Sequence, residues 1–288
     1  MKNALAISND GSHYPFTMTH VNPQRAYGLH RGSAMTIHRS LVVVFMLCWC
    51  QAARAQAPAP KEPPPLWDIQ IGASFVGTSG NSDTASTGVD MSAHRRGLVW
   101  LIDAAASAVR TNSNDVTTAE RYLEMLRGQR KLTRIVGLSA GEKLERDRFS
   151  GIDLRAILDA GLSWALVRRT DWTLDGITAI AWNHESRTAG DSVDSPIGVF
   201  QVLSRIPFGG SGDTTQRFTY YPDFQTSSAY RSEAELTAQA AMSSHLALKL
   251  GYLLRRSNAP VPGFKKTDST TTASVVLRWK ATTPAPAP

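Results

Sequence analysis

Hydrophobic and polar positions alternate with a period of two through residues 153–182, and this stretch sets the pattern for the chain. Its first half places apolar side chains at every second position, from Leu154 to Trp164, with mostly small, polar or charged side chains between them. After a short polar turn the same alternation resumes and ends at Trp182. Because successive side chains of a strand point to opposite faces, the stretch predicts a β-hairpin with one apolar face.

The two predicted strands have about a dozen residues each, whereas strands of soluble sheets usually have about five or six. Their apolar face has tryptophan at its ends and aliphatic residues in its middle, which is the order that a bilayer imposes on the outside of a membrane barrel. Similar segments recur between residues 66 and 280 and predict 12 strands, an even number, as a barrel with both ends on one side requires. We therefore expect an all-β fold, a transmembrane antiparallel up-and-down β-barrel. A soluble β-sandwich is the alternative that also alternates.

The predicted loops after odd strands are mostly longer and more polar than the turns after even strands. In membrane barrels long loops lie outside and short turns lie in the periplasm. With this orientation most of the tryptophans fall at the periplasmic interface, and one falls at the outer interface, which a sandwich would rarely produce. The predicted membrane-interface girdle consists of Trp67, Trp100, Trp164, Trp172, Trp182 and Trp279.

The apolar run at residues 41–50 is far shorter than the roughly 20 residues of a membrane-spanning helix. Arg39 precedes it and a small-x-small site ending at Ala55 follows it, so the run predicts a signal peptide that is cleaved after Ala55. Met35 would then be the true start. The expected organisation is an over-extended leader at 1–34, the signal at 35–55, a Pro-rich linker at 56–65, the barrel at 66–280 and a Pro/Ala tail at 281–288.

Removal of residues 1–55 changes the chemistry that the composition allows. Both cysteines, Cys48 and Cys50, lie in the predicted signal, so the exported chain would have no disulfide and no thiol chemistry. The formal charge of +7 falls to +3 without these residues, and nothing in this balance suggests a nucleic-acid partner.

Inward positions of the predicted strands carry charges of both signs. They predict a lumen that holds Asp68, Asp90, Asp103, Glu120, Glu124, Asp153, Asp159, Asp175, Glu233, Glu235 and Asp268 together with His94, Arg130, Arg155, Arg231, Lys249, Arg255 and Arg278. A strongly selective pore concentrates one sign, so the mixture favours paired charges that fill a narrow interior. Asp68 and Arg278 are expected to pair across the seam between the first and last strands. The fourth strand is the least regular, with Leu123 and Met125 assigned to the lipid side together with Arg121 and Arg127.

A second charged group is predicted at the outer rim. It contains Asp147, Arg148, Asp153 and Arg155. The group is a candidate site for lipopolysaccharide or a cation, although an ion-paired support for the loop is the favoured interpretation, because such networks commonly serve structure.

Four segments carry a resemblance to a known family. They are residues 80–84 (GNSDT), 147–155 (DRFSGIDLR), 220–223 (YYPD) and 263–268 (GFKKTD). With these segments the chain resembles the family of salt-induced outer-membrane proteins, over roughly residues 67–279. The resemblance implies a barrel of unassigned function in a Gram-negative envelope, under salt stress. One departure is that Trp279 is followed by residues 280–288, whereas barrels usually end on an aromatic residue that the assembly machinery reads.

The expected function is a structural or porin-like role for small solutes in the outer membrane. The expected partners are outer-membrane lipid, lipopolysaccharide and the barrel-assembly machinery. No catalytic, cofactor-binding or metal-binding residues are predicted, because the histidines lack ligand spacing and Ser150 has no predicted histidine beside it. Two alternatives stay open: a soluble periplasmic β-protein that binds an apolar ligand, and an outer-membrane hydrolase.

Overall fold

The structure is a computed structural model, and it describes residues 66–80, 84–113 and 116–281. The predicted leader, signal peptide and linker lie outside the described residues, as does the predicted tail after its first residue.

The described residues form twelve long β-strands, which confirms the predicted number. The strands are β1 (Trp67–Ser79), β2 (Thr84–Arg96), β3 (Trp100–Ser113), β4 (Val116–Lys131), β5 (Val136–Asp147), β6 (Ile152–Arg168), β7 (Thr173–Arg187), β8 (Val193–Phe208), β9 (Gly212–Tyr221), β10 (Arg231–Ala241), β11 (Leu246–Ser257) and β12 (Thr267–Ala281). One 3₁₀ turn (Arg148–Ser150) joins β5 to β6. No helix in the described ranges is long and apolar enough to cross a membrane.

Each strand pairs with its sequence neighbours, and β1 pairs with β12, so the sheet is a closed antiparallel barrel. At this seam Trp67 lies opposite Ala281 and Ser79 lies opposite Ser269. The chain therefore enters and leaves the barrel at the same end. The antiparallel ladder satisfies the backbone N–H and C=O groups along the whole wall, which a barrel achieves without an open edge.

Apolar side chains cover the outside of this barrel. In β1, Phe75 is 57% exposed and the next residue, Val76, is 2% exposed. The same contrast occurs at Ile180, which is 72% exposed while Ile177 is 5% exposed. Large apolar side chains therefore occur on both faces of the wall, and the many that are exposed on the outside suit an apolar surrounding.

Five of the predicted girdle tryptophans share one end of the barrel. Trp67 and Trp100 begin β1 and β3, Trp172 directly precedes β7, and Trp164 and Trp279 lie near the ends of β6 and β12. All five positions belong to the end at which the chain enters and leaves. Trp182 lies in the second half of β7, towards the opposite end, and is 52% exposed.

The predicted facing of β4 is wrong. Arg121 and Arg127 point into the barrel, where Arg127 Nη2 lies 2.6 Å from Asp159 Oδ2. Tyr122 and Leu126 are on the outside, 39% and 44% exposed. Apolar residues occupy both faces of this strand, so hydrophobic alternation does not define its orientation. Ion pairing inside the barrel decides it.

Three further residues of β4 face the side of the wall opposite to the predicted one. Glu124 lies on the outer face, against the prediction that it faces the lumen. Glu120 is also on the outside, covered by Arg146 and Arg148, which approach its carboxylate to 3.4 Å and 3.2 Å. Arg130, predicted to be inward, lies 6.0 Å from the ring of the outward Trp100.

A bulge at the start of β6 moves Asp153 out of the lumen. The register between β6 and β7 shifts between Ile152 and Leu154. Ile152 consequently fills the interior at 2% exposure, and the Asp153 side chain is 50% exposed. A bulge inserts one unpaired residue, which reverses the alternation on one side of it.

Two strands extend further than their hydrophobic pattern indicates. β5 runs to Asp147 and β7 to Arg187, through residues that the polarity of the chain assigns to loops. In both extensions every second polar residue, such as Glu145 and Glu185, faces the interior and pairs there, whereas Arg146 and His184 face outward.

Gly161 on β6 provides a test of the wall packing. A Cβ at this position would lie 2.2 Å from the carbonyl oxygen of Thr178 and 2.5 Å from Ala179 Cα, both backbone atoms of β7. We expect Gly161→Ala to lower the free energy of unfolding by about 1–3 kcal/mol, because the backbone must shift. Urea unfolding of the folded barrel in lipid vesicles, followed by tryptophan fluorescence, measures the change. The matched control is Gly128→Ala, where nothing lies within 4 Å, and an equal loss there would contradict the explanation.

Candidate functional site: the bore of the barrel

One guanidinium connects opposite walls of the barrel. Arg255 on β11 places Nη1 2.9 Å from Glu145 Oε1 and 2.5 Å from Asp147 Oδ2, both on β5. In the ring of 12 strands β5 and β11 are six positions apart in either direction. They are therefore diametrically opposite, and this ion pair crosses the whole bore.

The carboxylates at this crossing are fully enclosed. Glu145 is 1% exposed and Asp147 is 0% exposed. Glu145 also contacts Arg155 at 3.0 Å and Arg121 at 3.4 Å, so three guanidinium groups surround one carboxylate. Burial of a charge is tolerated when it is paired in this way.

A second ion pair crosses beside the first. Lys143 Nζ on β5 lies 2.6 Å and 2.9 Å from the two carboxylate oxygens of Glu233 on β10. The same ammonium lies 5.5 Å from the ring of Tyr221, which is 7% exposed. Lys143 and Glu145 are successive inward positions of β5, and their partners lie on the adjacent strands β10 and β11. The two ion pairs therefore lie side by side and form a bar across the bore.

A third group of charges continues from this bar along β6 and β7. Arg155 lies 2.7 Å from Glu185 Oε2, and Arg187 lies 2.6 Å from Glu185 Oε1. Arg231 at the start of β10 donates from Nη2 to Asn183 Oδ1 at 3.1 Å. We call the set Arg121, Lys143, Glu145, Asp147, Arg155, Glu185, Arg187, Arg231, Glu233 and Arg255 the bore network.

Loops cover the bore at the end that the predicted orientation makes extracellular. Phe149 in the 3₁₀ turn is 7% exposed and lines a small cavity with Arg121 and Arg255. Val261, in the loop between β11 and β12, is 2% exposed. In the same loop Phe264 packs against Gly151, where an added Cβ would lie 2.5 Å from Phe264 Cε2.

The covering loop meets two further parts of the rim. Ser150 Oγ donates to Asp268 Oδ2 at 3.1 Å, which joins the 3₁₀ turn to β12. Pro262 lies 3.9 Å from the Cβ position of Gly190, in the loop between β7 and β8. We call this covering, residues 148–151 and 258–266, the lid. The lid and the bore network close the barrel at two levels.

Other predicted lumen charges pair along the wall. Asp68 and Arg278 form the predicted seam pair at 3.3 Å. Three other pairs join strands that are one or two positions apart: Asp103 with His94 at 2.7 Å, Asp159 with Arg127 at 2.6 Å, and Glu235 with Arg217 at 2.9 Å. Asp90 on β2 pairs with Lys249 on β11, three positions away in the ring, at 2.6 Å. Asp175 pairs with Arg168 near the end where the chain enters.

The predicted rim group does not form one site. Asp147 and Arg155 face the interior and belong to the bore network. Arg148 and Asp153 are on the outside, where Arg148 pairs with Glu120 and Asp153 lies 3.5 Å from Arg146. The wall of the barrel separates the two halves.

Several members of the bore network were missed in the sequence. Lys143 and Glu145 continue the inward period-two series of Ser139 and Gly141, and Glu185 continues that of β7. Extension of the alternation beyond the last apolar residue would have found them. Arg121 has no such signal, because both faces of β4 contain apolar residues.

The outer wall contains one recess with a charged lining. Its volume is about 450 Å³, and its outward-facing lining includes Met91, Ala106, Tyr122, Glu124 and Leu144. Glu124 is therefore a carboxylate in a mostly apolar recess of the exterior surface.

No group of three potential metal ligands occurs in the part of the chain that the structure describes. His94 and His184 are each paired with a carboxylate, Asp103 and Asp194, at 2.7 Å and 2.8 Å. Ser150, considered above as a nucleophile, donates its hydroxyl to a carboxylate.

The geometry defines a class: a closed 12-stranded antiparallel barrel with large apolar side chains on its exterior and ion pairs across its interior. The chain belongs to the DUF481 family of proteins of unknown function, whose profile matches residues 71–279. No curated protein matches the sequence.

Solved structures with a similar fold are barrels. The NanC porin has a TM-score of 0.51 at 11% identity, covering 73% of this chain and 100% of that one. An outer membrane channel from Pseudomonas putida F1 has a TM-score of 0.45 at 10% identity, covering 78% and 100% of the two chains. The KdgM porin has a TM-score of 0.42 at 8% identity, covering 73% and 99%. At these identities the likeness to NanC shows the fold alone.

Substitution of Glu145 tests how much the bore network contributes to the stability of the barrel. We expect Glu145→Gln to lower the free energy of unfolding by about 3–5 kcal/mol, because it removes a buried partner from three guanidinium groups. The matched control is Glu235→Gln, whose carboxylate pairs with Arg217 at 38% side-chain exposure. It should lose less than about 1 kcal/mol. Urea unfolding midpoints of both variants in the same vesicles measure the difference, and equal midpoints would contradict the role of Glu145.

Proposed function

We propose that this chain is an outer-membrane barrel of the channel type, whose bore is closed in the state described by an ion pair across its diameter. The observation that carries the proposal is the contact of Arg255 with Glu145 and Asp147 from diametrically opposite strands. Conduction of a small solute then requires the bore network and the lid to separate.

The outer-membrane location is supported by the apolar side chains on the exterior of the barrel. Large apolar side chains cover the exterior, and five tryptophans share one end of the cylinder. Membrane barrels of bacteria have this arrangement. The proposal places outer-membrane lipid and lipopolysaccharide around the wall, and it makes the barrel-assembly machinery a partner during insertion. Induction by salt remains an expectation from the sequence resemblance alone.

The same closed bore supports a second candidate, a structural barrel that conducts nothing. Three guanidinium groups around Glu145 and a packed lid are suited to a permanently filled interior. The two candidates differ in one measurable property, which is the current through the reconstituted protein.

Two other interpretations have less support. A soluble protein that binds an apolar ligand needs an apolar cavity inside, whereas most inward charges here form ion pairs. An outer-membrane hydrolase needs a nucleophile, a base and an orienting group together. Ser150 has Asp268 beside it, but the ion-paired histidines belong to β2 and β7.

Fractionation tests the location. We expect the exported protein to remain in the membrane pellet in high salt and to need detergent for release, because its apolar wall faces lipid. In gel electrophoresis the unheated sample should migrate differently from the boiled sample, as folded barrels do when they keep their closed sheet. Release by salt alone would contradict the location.

Single-channel recording tests the function. The double variant Glu145→Ala with Arg255→Ala removes the crossing guanidinium and one of its two carboxylate partners without changing the net charge, so we expect its conductance in planar bilayers to exceed that of the native chain severalfold. The control is Asp68→Ala with Arg278→Ala, a pair between adjacent strands, which should leave conductance near the native value. If the crossing variant is folded and carries no current, the structural-barrel candidate stands instead.

A further inference from the structure

Arg231 is the one arginine of the bore network that has no carboxylate partner. Its Nη2 donates to Asn183 Oδ1 at 3.1 Å, and its guanidinium carbon lies 5.2 Å from the ring centroid of Tyr221. Within the described part of the chain, no carboxylate oxygen lies within 4.0 Å of its guanidinium nitrogens. It is the first residue of β10, and so it lies at the lid end of the bore.

Every carboxylate of the bore network already has at least one cationic partner. Both oxygens of Glu233 contact Lys143. Both oxygens of Glu185 are used, one by Arg155 and one by Arg187. Glu145 and Asp147 are held by the remaining guanidinium groups, those of Arg121, Arg155 and Arg255. Five cations thus engage four carboxylates, and Arg231 is the sixth cation.

Asp223, in the loop before β10, does not act as a carboxylate partner of Arg231. Its Oδ1 accepts hydrogen bonds from the backbone N–H groups of Gln225 and Thr226, both at 2.8 Å. Burial raises the pKa of Asp223, but these hydrogen bonds and the positive charge of Arg231 lower it, with a net pKa below its ordinary value. The carboxylate therefore stays ionised and serves its own loop, and it forms no ion pair with Arg231.

The side chain of Arg231 is half-buried and held in place. Nε of Arg121 and Nε of Arg255 are buried without a hydrogen-bond partner, and no nitrogen of Arg231 is in that condition. Asn183 is 4% exposed and Tyr221 is 7% exposed, so the groups that fix the guanidinium are themselves rigidly packed.

We propose that Arg231, held by Asn183 and Tyr221, binds a small monocarboxylate anion at the lid end of the bore. A guanidinium presents paired N–H donors that match the two oxygens of a carboxylate, and such pairs are among the strongest charge-assisted hydrogen bonds. The six cations and four carboxylates of the bore network leave two positive charges uncompensated, and the anion offsets one of them. The idea that this anion is a transported solute rests on the proposed channel function, but the binding of the anion at Arg231 does not.

Acetate is the probe that tests the site. The unfolding midpoint of the full chain in detergent is measured in sodium acetate and in sodium chloride at equal ionic strength and at pH 8. Acetate should raise the midpoint of the native protein by at least about 2 °C over chloride, because a ligand stabilises the state that binds it. No difference between the two salts would overturn the carboxylate site.

Variants assign the effect to one residue. Arg231→Met should abolish the acetate shift, and Arg217→Met, whose native partner is Glu235 on the wall, should keep it. Arg231→Lys retains the charge and supports folding, but it loses the forked donors, so it should need about tenfold more acetate for the same shift. An unchanged shift in either Arg231 variant would falsify the assignment.

Conductance in acetate separates this proposal from the channel function. If the protein shows the acetate shift but carries no current, the channel function is contradicted and the anion site is supported. If the protein conducts without any Arg231-dependent shift, the channel function is supported and the anion site is contradicted.

Discussion

The contact between Arg255 and the two acidic side chains of β5 determines how the inside of this barrel is arranged. It joins opposite walls, and its members can be buried only because each charge has partners within the same cross-section. Such a pair adds little net stability compared with apolar packing, but removal of one member leaves a buried charge that is very unfavourable. The crossing therefore ties opposite walls together through charges that are buried at that level.

The lid and the crossing are in contact and share a strand. Phe149 of the 3₁₀ turn and Arg255 of β11 line the same small cavity, and the loop that carries Val261 and Phe264 follows β11 directly. A displacement of this loop acts on the strand that supplies the crossing guanidinium. The candidate anion site at Arg231 lies at the same end, so an incoming carboxylate would meet the loops and the network together. In the proposed channel, opening would be a local event within a wall that stays closed by its backbone ladder.

The outer wall shows where hydrophobic alternation gives insufficient information. On β4 apolar residues occupy both faces, and the strand is oriented by the partners of Arg121 and Arg127 on the nearby strands β5 and β6. At Asp153 a one-residue bulge reverses the alternation, which divides a group that is contiguous in sequence between the two sides of the wall. Both corrections depend on register with neighbouring strands, and register is a property of the sheet and not of a single strand.

The sequence by itself determined the strand number, the closed antiparallel architecture, the inward or outward position of most residues and the seam pair of Asp68 with Arg278. These features follow from a period of two and from the order of strands, which are local properties of the chain. Only the tertiary structure decided that Arg255 reaches Glu145, that loops 258–266 and 148–151 meet over the bore, and that Arg231 is left without a carboxylate. The contact of Arg255 with Glu145 joins residues 110 positions apart across the diameter of the barrel, and its existence depends on how far opposite walls approach each other, which alternation along one strand does not encode.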